Sequence, residues 1–351
     1  MDTLTHALSG ALLARATTRP SRRLSRRDRT LTGLVAAAFP DVDYTLFLVA
    51  PLGFLNWHRG LTHSLLLLPG WAWLLSVLLA RLTSGRYPWQ AFYGLCALGI
   101  AVHLVGDLIT IYGTKLLPPV TDTPVGLGIV FDIDPVIASL IALGFMASYR
   151  RPPRRVAGVT LVLLIGYLML QTGLYWRTVA LGEAYARQQV LEPFTVYALP
   201  QPFAPWLWKL VVVHDDGYRV TYLNHLEWGK PSRPAATRLP WSVLSAYRPQ
   251  SALLWTAVSR FGENPTVQAL ALQVWRQERL AAFRHFAVLP ALYRLDQEPA
   301  GGVCVWFTDL RYSLPLLPPA FRYGLCRVTV EGPWQLYRLR YFQEDQRQLL
   351  E

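Results

Sequence analysis

The stretch AFYGLCALGIAVHLVGDLITIYGT, residues 91 to 114, decides how this chain is read. It is long and apolar enough to cross the roughly 30 Å hydrocarbon core of a bilayer as a helix. It nevertheless carries His103 and Asp107, four positions apart, and a helix places such residues on one face about one turn from each other. Ionisable side chains at membrane depth are costly, and they persist where they meet a partner or an ion.

The neighbouring segments extend the pattern. Residues 64 to 80 (SLLLLPGWAWLLSVLLA) and 156 to 176 (VAGVTLVLLIGYLMLQTGLYW) contain no charged residue and read as membrane spans. Residues 135 to 149 are shorter and open on a proline suited to a first helical turn. Residues 31 to 50 are interrupted by Pro40, Asp41 and Asp43, which predicts a broken or kinked helix. Residues 3 to 16 make a short apolar helix of about 21 Å, enough to cross only part of a membrane. The expected fold is an α-helical membrane bundle of about five or six hydrophobic helices, one half-spanning and one proline-broken, followed by a soluble α+β domain. The boundaries drawn are residues 1 to 182 for the metal-binding membrane domain and 190 to 351 for an extracytoplasmic one.

Beyond residue 180 charges scatter and alternating patterns appear. Residues 207 to 223 read as a β-hairpin with an Asp-Gly turn, and residues 326 to 342 as another that turns near Glu331 and Gly332. Between them, residues 266 to 283 have helical periodicity. His214, His225 and His285 show no ligand spacing, and Asp309 with Arg311 reads as a salt-bridged strand end.

A hydrophobic content of 52% fits a membrane protein with a substantial polar part. The net charge of +12 would suit nucleic acid, but its distribution argues against such a partner. Seven arginines lie from Arg15 to Arg29, two more are Arg81 and Arg86, and four are Arg150, Arg151, Arg154 and Arg155, all between apolar segments. Placed in the cytoplasm, these loops hold thirteen arginines, while the opposite loops, near residues 51 to 60 and 113 to 131, carry only Arg59 and Lys115. The positive-inside rule then sets the C-terminal domain outside the cytoplasm. The N-terminal apolar stretch precedes its basic residues, the reverse of a cleavable signal peptide. Cys96 reads as a buried apolar residue, and Cys304 and Cys326 are able to pair in an oxidising compartment.

The chemistry concentrates in His6, Asp41, Asp43, His58, His63, His103 and Asp107, each in or beside an apolar segment. A lone membrane histidine is ordinarily a hydrogen-bond partner between helices. Here, however, no intramembrane Lys or Arg is in view to neutralise the carboxylates, and metal ions would supply that charge. Mixed imidazole and carboxylate ligands suit zinc, with manganese or iron as alternatives, and the set is large enough for one or two ions. Arg59 is a natural clamp for a phosphate. Asp132 and Asp134 precede Pro135 and read first as helix N-caps. Leu4-Thr5-His6-Ala7-Leu8 and Leu61-Thr62-His63-Ser64-Leu65 share LTHxL, with the threonine a candidate cap.

The opening MDTLTHALSG (1 to 10), PDVD (40 to 43), HRGLTHS (58 to 64) and HLVGD (103 to 107) resemble the motifs of bacterial and archaeal membrane-bound metal-dependent hydrolases, the YdjM-type family. The resemblance is specific over residues 1 to about 150. The FTDLRY segment (307 to 312) resembles the C-terminal part of longer members more loosely. It implies a metal-dependent hydrolase distantly similar to zinc-dependent phospholipase C, with His6, Asp41, His58, His63, His103 and Asp107 as ligands. Asp43 would be a ligand or stand behind one, and Asp43 and Arg59 would serve catalysis. No motif position departs from the pattern, and the family does not supply a substrate. The expected substrate is an ester or phosphoester of a lipid or lipid-linked molecule, since a water-soluble substrate would not need ligands inside the hydrocarbon layer. The alternative is a metal-binding membrane regulator or transporter without hydrolytic activity.

Overall fold

Asp2 accepts a hydrogen bond from the Thr5 amide (2.9 Å) and so caps helix α1 (Thr3–Ala16). Ser25 caps α2 (Arg26–Ala38) in the same way through the Asp28 amide. These elements belong to a computed structural model that describes residues 1 to 17, 24 to 202, 204 to 215, 217 to 226, 241 to 298, 301 to 341 and 343 to 350. Arg19, Arg22 and Arg23 of the basic loop lie outside the described residues.

The two helices meet glycine to glycine. A methyl group on Gly10 would stand 2.2 Å from the Gly33 carbonyl oxygen, and one on Gly33 would stand 2.3 Å from that of Gly10. Small residues at a membrane-helix crossing allow this backbone approach. Gly33→Val is therefore expected to destabilise the helical unit by about 3 kcal/mol or more. Gly158→Val, on a helix position where an added Cβ meets nothing within 4 Å, is expected to stay within about 0.5 kcal/mol of wild type. Thermal unfolding in detergent measures both.

Residues 31 to 50 break where the proline predicts. α2 ends at Ala38, and a 3₁₀ turn, Phe39–Thr45, follows with Pro40 in its first turn. Two short helices come next, α3 (Leu46–Val49) and α4 (Pro51–Trp57). A second 3₁₀ turn, Leu61–His63, precedes α5 (Leu68–Leu82). The span expected over 64 to 80 thus becomes helical only at Leu68, and the pieces on either side meet at 83°. The reason is Pro69, which a helix tolerates in its first turn but not four residues inside one. α6 (Gln90–Leu108) follows, then two-residue strands β1 (Thr114–Lys115) and β2 (Pro124–Val125), α7 (Pro135–Ala147), and the 36-residue α8 (Pro153–Gln188).

Among the described residues, three helical stretches are long and apolar enough to cross a membrane: Arg26–Val49, Gln90–Leu108 and Pro153–Gln188. The bent pair around Leu61–His63 makes a fourth if it forms one span. α1 and α7, with 14 and 13 residues, reach only about 20 Å against a core of about 30 Å. A core of Ala36, Ala72, Leu75, Phe92, Cys96, Ile100 and Leu104 binds α2, α5 and α6, and Cys96 is the buried apolar residue expected.

Two contact units divide the chain: Met1–Leu46, Trp57–Trp176 and Leu199–Pro205 form one, and Phe47–Asn56, Arg177–Ala198 and Trp206–Glu351 the other. Most of the strands belong to the second. β3 (Phe194–Pro200), β4 (Leu207–His214), β5 (Gly217–Asn224) and, after a short helix α9 (Trp241–Leu244), β6 (Thr256–Ser259) make a four-stranded sheet in chain order. In the β4–β5 hairpin His214 pairs with Gly217 and Asp215 has φ 42°; Asp216 of the expected turn lies outside the described residues. The helix expected over 266 to 283 is split into α10 (Pro265–Trp275) and α11 (Ala281–Phe286). Arg284 donates to the Trp275 carbonyl (2.5 Å), closing α10 early.

β7 (Pro290–Gln297), β8 (Gly301–Asp309), β9 (Arg322–Thr329), β10 (Gln335–Arg340) and β11 (Gln343–Leu350) form an antiparallel five-stranded sheet. The β9–β10 hairpin closes as expected, with the Gly332 amide donating to Thr329 (3.1 Å); Phe342, the last residue of that predicted segment, lies outside the described residues. Cys304 and Cys326, cross-strand partners on β8 and β9, form a disulfide. Asp309 and Arg311 are the ion-paired strand end anticipated, at 2.8 Å. His225 bonds Thr178 (2.8 Å), and burial pushes its imidazole down to about 4, as suits a structural side chain.

Candidate metal centre

The breaks in the helices bring polar side chains together. The 3₁₀ turn after α2 presents Asp41 and Asp43, the turn before α5 presents His63, α1 presents His6, and the last two turns of α6 present His103 and Asp107. With His58 and Arg59 these are the eight residues expected from the sequence, and none is more than 7% exposed.

Hydrogen bonding sets the proton positions. His103 Nδ1 lies 2.7 Å from the Ala37 carbonyl oxygen, which can only accept, so Nδ1 carries the proton. Thr62 donates its hydroxyl to Asp43 Oδ2 (3.2 Å) and thereby accepts from His63 Nδ1 (3.0 Å). Both rings are then left with lone pairs at Nε2, and these two atoms face each other at 3.0 Å. Asp107 Oδ2, which has no hydrogen-bond partner among the described residues, lies 3.2 Å from the first and 3.3 Å from the second. Asp41 Oδ1 closes the group at 3.8 Å from His63 Nε2 and 3.7 Å from His103 Nε2.

Electron-rich atoms this close repel one another unless a cation lies between them. Zinc bonds of about 2.0 to 2.2 Å put tetrahedral ligand atoms about 3.3 to 3.6 Å apart. His63, His103 and Asp107, 3.0 to 3.3 Å apart, form a group that could hold a divalent ion, and Asp41 lies 3.7 to 3.8 Å from the two imidazole nitrogens. His6 stands at the edge of the group. Its ring stacks on His103 at 3.7 Å, Nε2 lies 3.0 Å from Asp107 Oδ1, and buried Nδ1 has no hydrogen-bond partner among the described residues. With Asp41 and His103 it makes a second candidate ligand group. His103 belongs to both groups, yet one ring nitrogen has one lone pair.

The remaining predicted residues support this cluster from behind. His58 Nδ1 lies 2.9 Å from Asp43 Oδ1, and its ring packs against Tyr44 and Tyr112. Asp43 also accepts from the Arg59 amide (3.0 Å) and, through Thr62, orients His63. This is the carboxylate–histidine arrangement that fixes ligand rings.

Arg59 corrects the expectation that no cation is available among the membrane carboxylates. It is 3% exposed, turned inward at φ 55°, and its guanidinium lies 3.1 Å from Asp107 and 3.3 Å from Asp132 while donating to Thr110 (2.8 Å). Asp107 Oδ1 is also 2.5 Å from the Met1 amine. Asp134 caps α7 as expected, whereas Asp132 serves as this ion-pair partner. Neither LTHxL threonine caps a helix: Asp2 caps α1 and bonds Thr5, and Thr62 bonds Asp43. Thr3, which donates to Asp41 (2.5 Å), and Gly106, where a Cβ would strike the His6 ring at 2.9 Å, had no signal in the sequence beyond lying next to motif residues.

Fold and site define a class: a helical membrane protein whose first half encloses a histidine and aspartate cluster. The description "YdjM inner membrane protein" matches residues 1 to 178, half of the 351-residue chain, and the chain belongs to that family. The matched region holds all eight site residues. A Bacillus subtilis (strain 168) protein described as the uncharacterized protein YfhP is 28% identical over 187 residues, 49% of this chain and 54% of that relative. The chain therefore spans about half the length of the curated relative it matches. No solved structure matches it.

Proposed function

We propose that the protein is a membrane-embedded, metal-dependent hydrolase that cleaves an ester or phosphoester of a lipid or lipid-linked substrate. One observation carries this reading: two unprotonated imidazole nitrogens face each other at 3.0 Å with carboxylate oxygens of Asp107 and Asp41 closing around them. His63, His103, Asp41 and Asp107 would hold the ion, and His103's single available lone pair favours one ion over two. When bound, zinc, or manganese or iron in its place, supplies Lewis acidity and an acidified water for ester cleavage. Asp43 keeps His58 and His63 oriented, and Arg59 grips a substrate phosphate through its planar fork. Membership in an inner membrane family supports a bilayer setting and a lipid-borne substrate. The arginine asymmetry and the Cys304–Cys326 disulfide support a multi-pass topology with the C-terminal unit outside the cytoplasm.

A second reading has its own support. Four protein ligands saturate a tetrahedral ion, and catalytic zinc ordinarily keeps one position open. A closed, buried set suits a metal-binding regulator or transporter. The purified full chain in detergent, analysed for metal and assayed against phospholipids, polyprenyl phosphates and simple esters with and without chelator, separates the two. The hydrolase reading expects about one ion per chain and turnover that chelation abolishes. Bound metal with no turnover across the panel favours the second reading, and no bound metal sinks both.

A further inference from the structure

The helical unit carries a second polar feature, at the opposite end of α1 from the metal centre. His6 and Arg15 are nine residues apart on that helix, about 13 Å along its axis. Where α1 ends, α2 begins and α7 passes into α8, a cavity of about 350 Å³ is walled by Arg15, Arg26, Arg29, Tyr149, Arg150 and Arg151.

The pocket is built rather than incidental. Arg15 is pinned to Ser148, donating from Nε to its hydroxyl (2.7 Å) and from a terminal nitrogen to its carbonyl (2.8 Å), with the guanidinium 3.9 Å above the Tyr149 ring. Arg29 donates to the Thr17 carbonyl (3.1 Å), and its Nε is buried without a hydrogen-bond partner among the described residues. A neutral carbonyl thus positions Arg29 without compensating its charge. No carboxylate of the described residues pairs with Arg26, Arg29, Arg150 or Arg151, and Asp28 is taken by Ser25 (2.6 Å) and Tyr87 (2.9 Å). The N-termini of α2 and α8 both open here, and the positive ends of their dipoles add to the same field.

Like charges held at this density call for an anion. Guanidinium forks match phosphate oxygens two at a time, and a cavity of this size holds more than a bare ion. We propose that this pocket binds a phosphate group, supplied by an anionic phospholipid headgroup or by free phosphate. The start of the α8 span and Tyr149, 63% exposed beside Arg15, are features of a membrane–water interface, where lipid phosphates lie.

The test is native mass spectrometry of the full chain in detergent, titrated with phosphatidylglycerol, phosphatidylcholine or inorganic phosphate. The wild type is expected to retain phosphatidylglycerol at least tenfold more tightly than phosphatidylcholine. R26Q/R29Q/R150Q/R151Q is expected to lose that preference at least tenfold, whereas R81Q/R86Q/R154Q/R155Q, which removes equal charge outside the lining, keeps it. R26K/R29K/R150K/R151K guards against misfolding: it keeps the charge, loses the forks, and is expected to bind at least threefold more weakly. Millimolar inorganic phosphate that stabilises the wild type but not the lysine variant would identify free phosphate as the ligand of the same pocket. Equal losses in the two glutamine variants, or equal binding of lipid and phosphate by wild type and lysine variant, overturns the proposal.

Discussion

Asp107→Ala is expected to lose the metal and a large part of the fold's stability together. Its carboxylate lies within 3.3 Å of five buried partners: the Met1 amine at 2.5 Å, His6 at 3.0 Å, Arg59 at 3.1 Å, His63 at 3.2 Å and His103 at 3.3 Å. Deleting it takes a 3.1 Å carboxylate partner from the Arg59 guanidinium, and removing one partner of a buried ion pair costs about 3 to 5 kcal/mol. Against a typical total of about 5 to 15 kcal/mol, that is a large fraction. Asp107→Asn separates the two effects. It keeps the shape and an oxygen for Arg59 but removes the charge that the ion needs, so metal affinity should fall at least about a hundredfold while stability falls by only about 1 to 2 kcal/mol. Metal analysis and melting in detergent, with and without chelator, read both quantities. The wild type should melt lower after chelation, because a ligand at a thousand times its Kd stabilises by about 4 kcal/mol. An Asp107→Asn protein that keeps wild-type metal affinity would show that the cluster is a hydrogen-bonded network and not a metal site.

Much of this centre was legible in the sequence, because it depends on local rules. His103 and Asp107 are one helical turn apart on any helix, Pro40 interrupts any helix that runs into it, and Asp134 before Pro135 is a cap by composition alone. What stayed hidden depends on tertiary contact. Hydropathy over residues 64 to 80 is uniform, so the late start of α5 follows only from weighing Pro69 against the helix it would otherwise sit inside. Which of seven candidate ligands converge on one point is set by rotamers and by second partners such as the Ala37 carbonyl and Thr62, and no spacing encodes these. Arg59 is the clearest case. In the sequence it is one of only two cations on the arginine-poor side, while in the fold a left-handed backbone turns it into the carboxylates. From the sequence its charge reads as one for a substrate, whereas in the fold it faces the carboxylates of Asp107 and Asp132.

That double duty makes Arg59 the second site of large effect. Arg59→Lys keeps a cation near Asp107 but cannot reach Asp107, Asp132 and Thr110 together as the guanidinium does. If Arg59 were only a counter-ion, lysine would suffice and turnover would be unchanged. If the fork also grips substrate phosphate, the partner it gives up is Asp132, whose side chain is 19% exposed while that of Asp107 is fully buried. Under the hydrolase reading, Arg59→Lys is expected to keep its metal and to melt within a few degrees of wild type, but to lose about a hundredfold or more in turnover, the usual size for one lost transition-state donor. Asp132→Asn is the complement: weakening the competing partner loosens Arg59 for phosphate, so KM for a phosphoester should fall or hold while metal content stays the same. Both variants are to be read by metal analysis, melting and steady-state kinetics on the same lipid-phosphate panel. Wild-type turnover in Arg59→Lys would confine the arginine to charge balance and leave substrate binding to other groups.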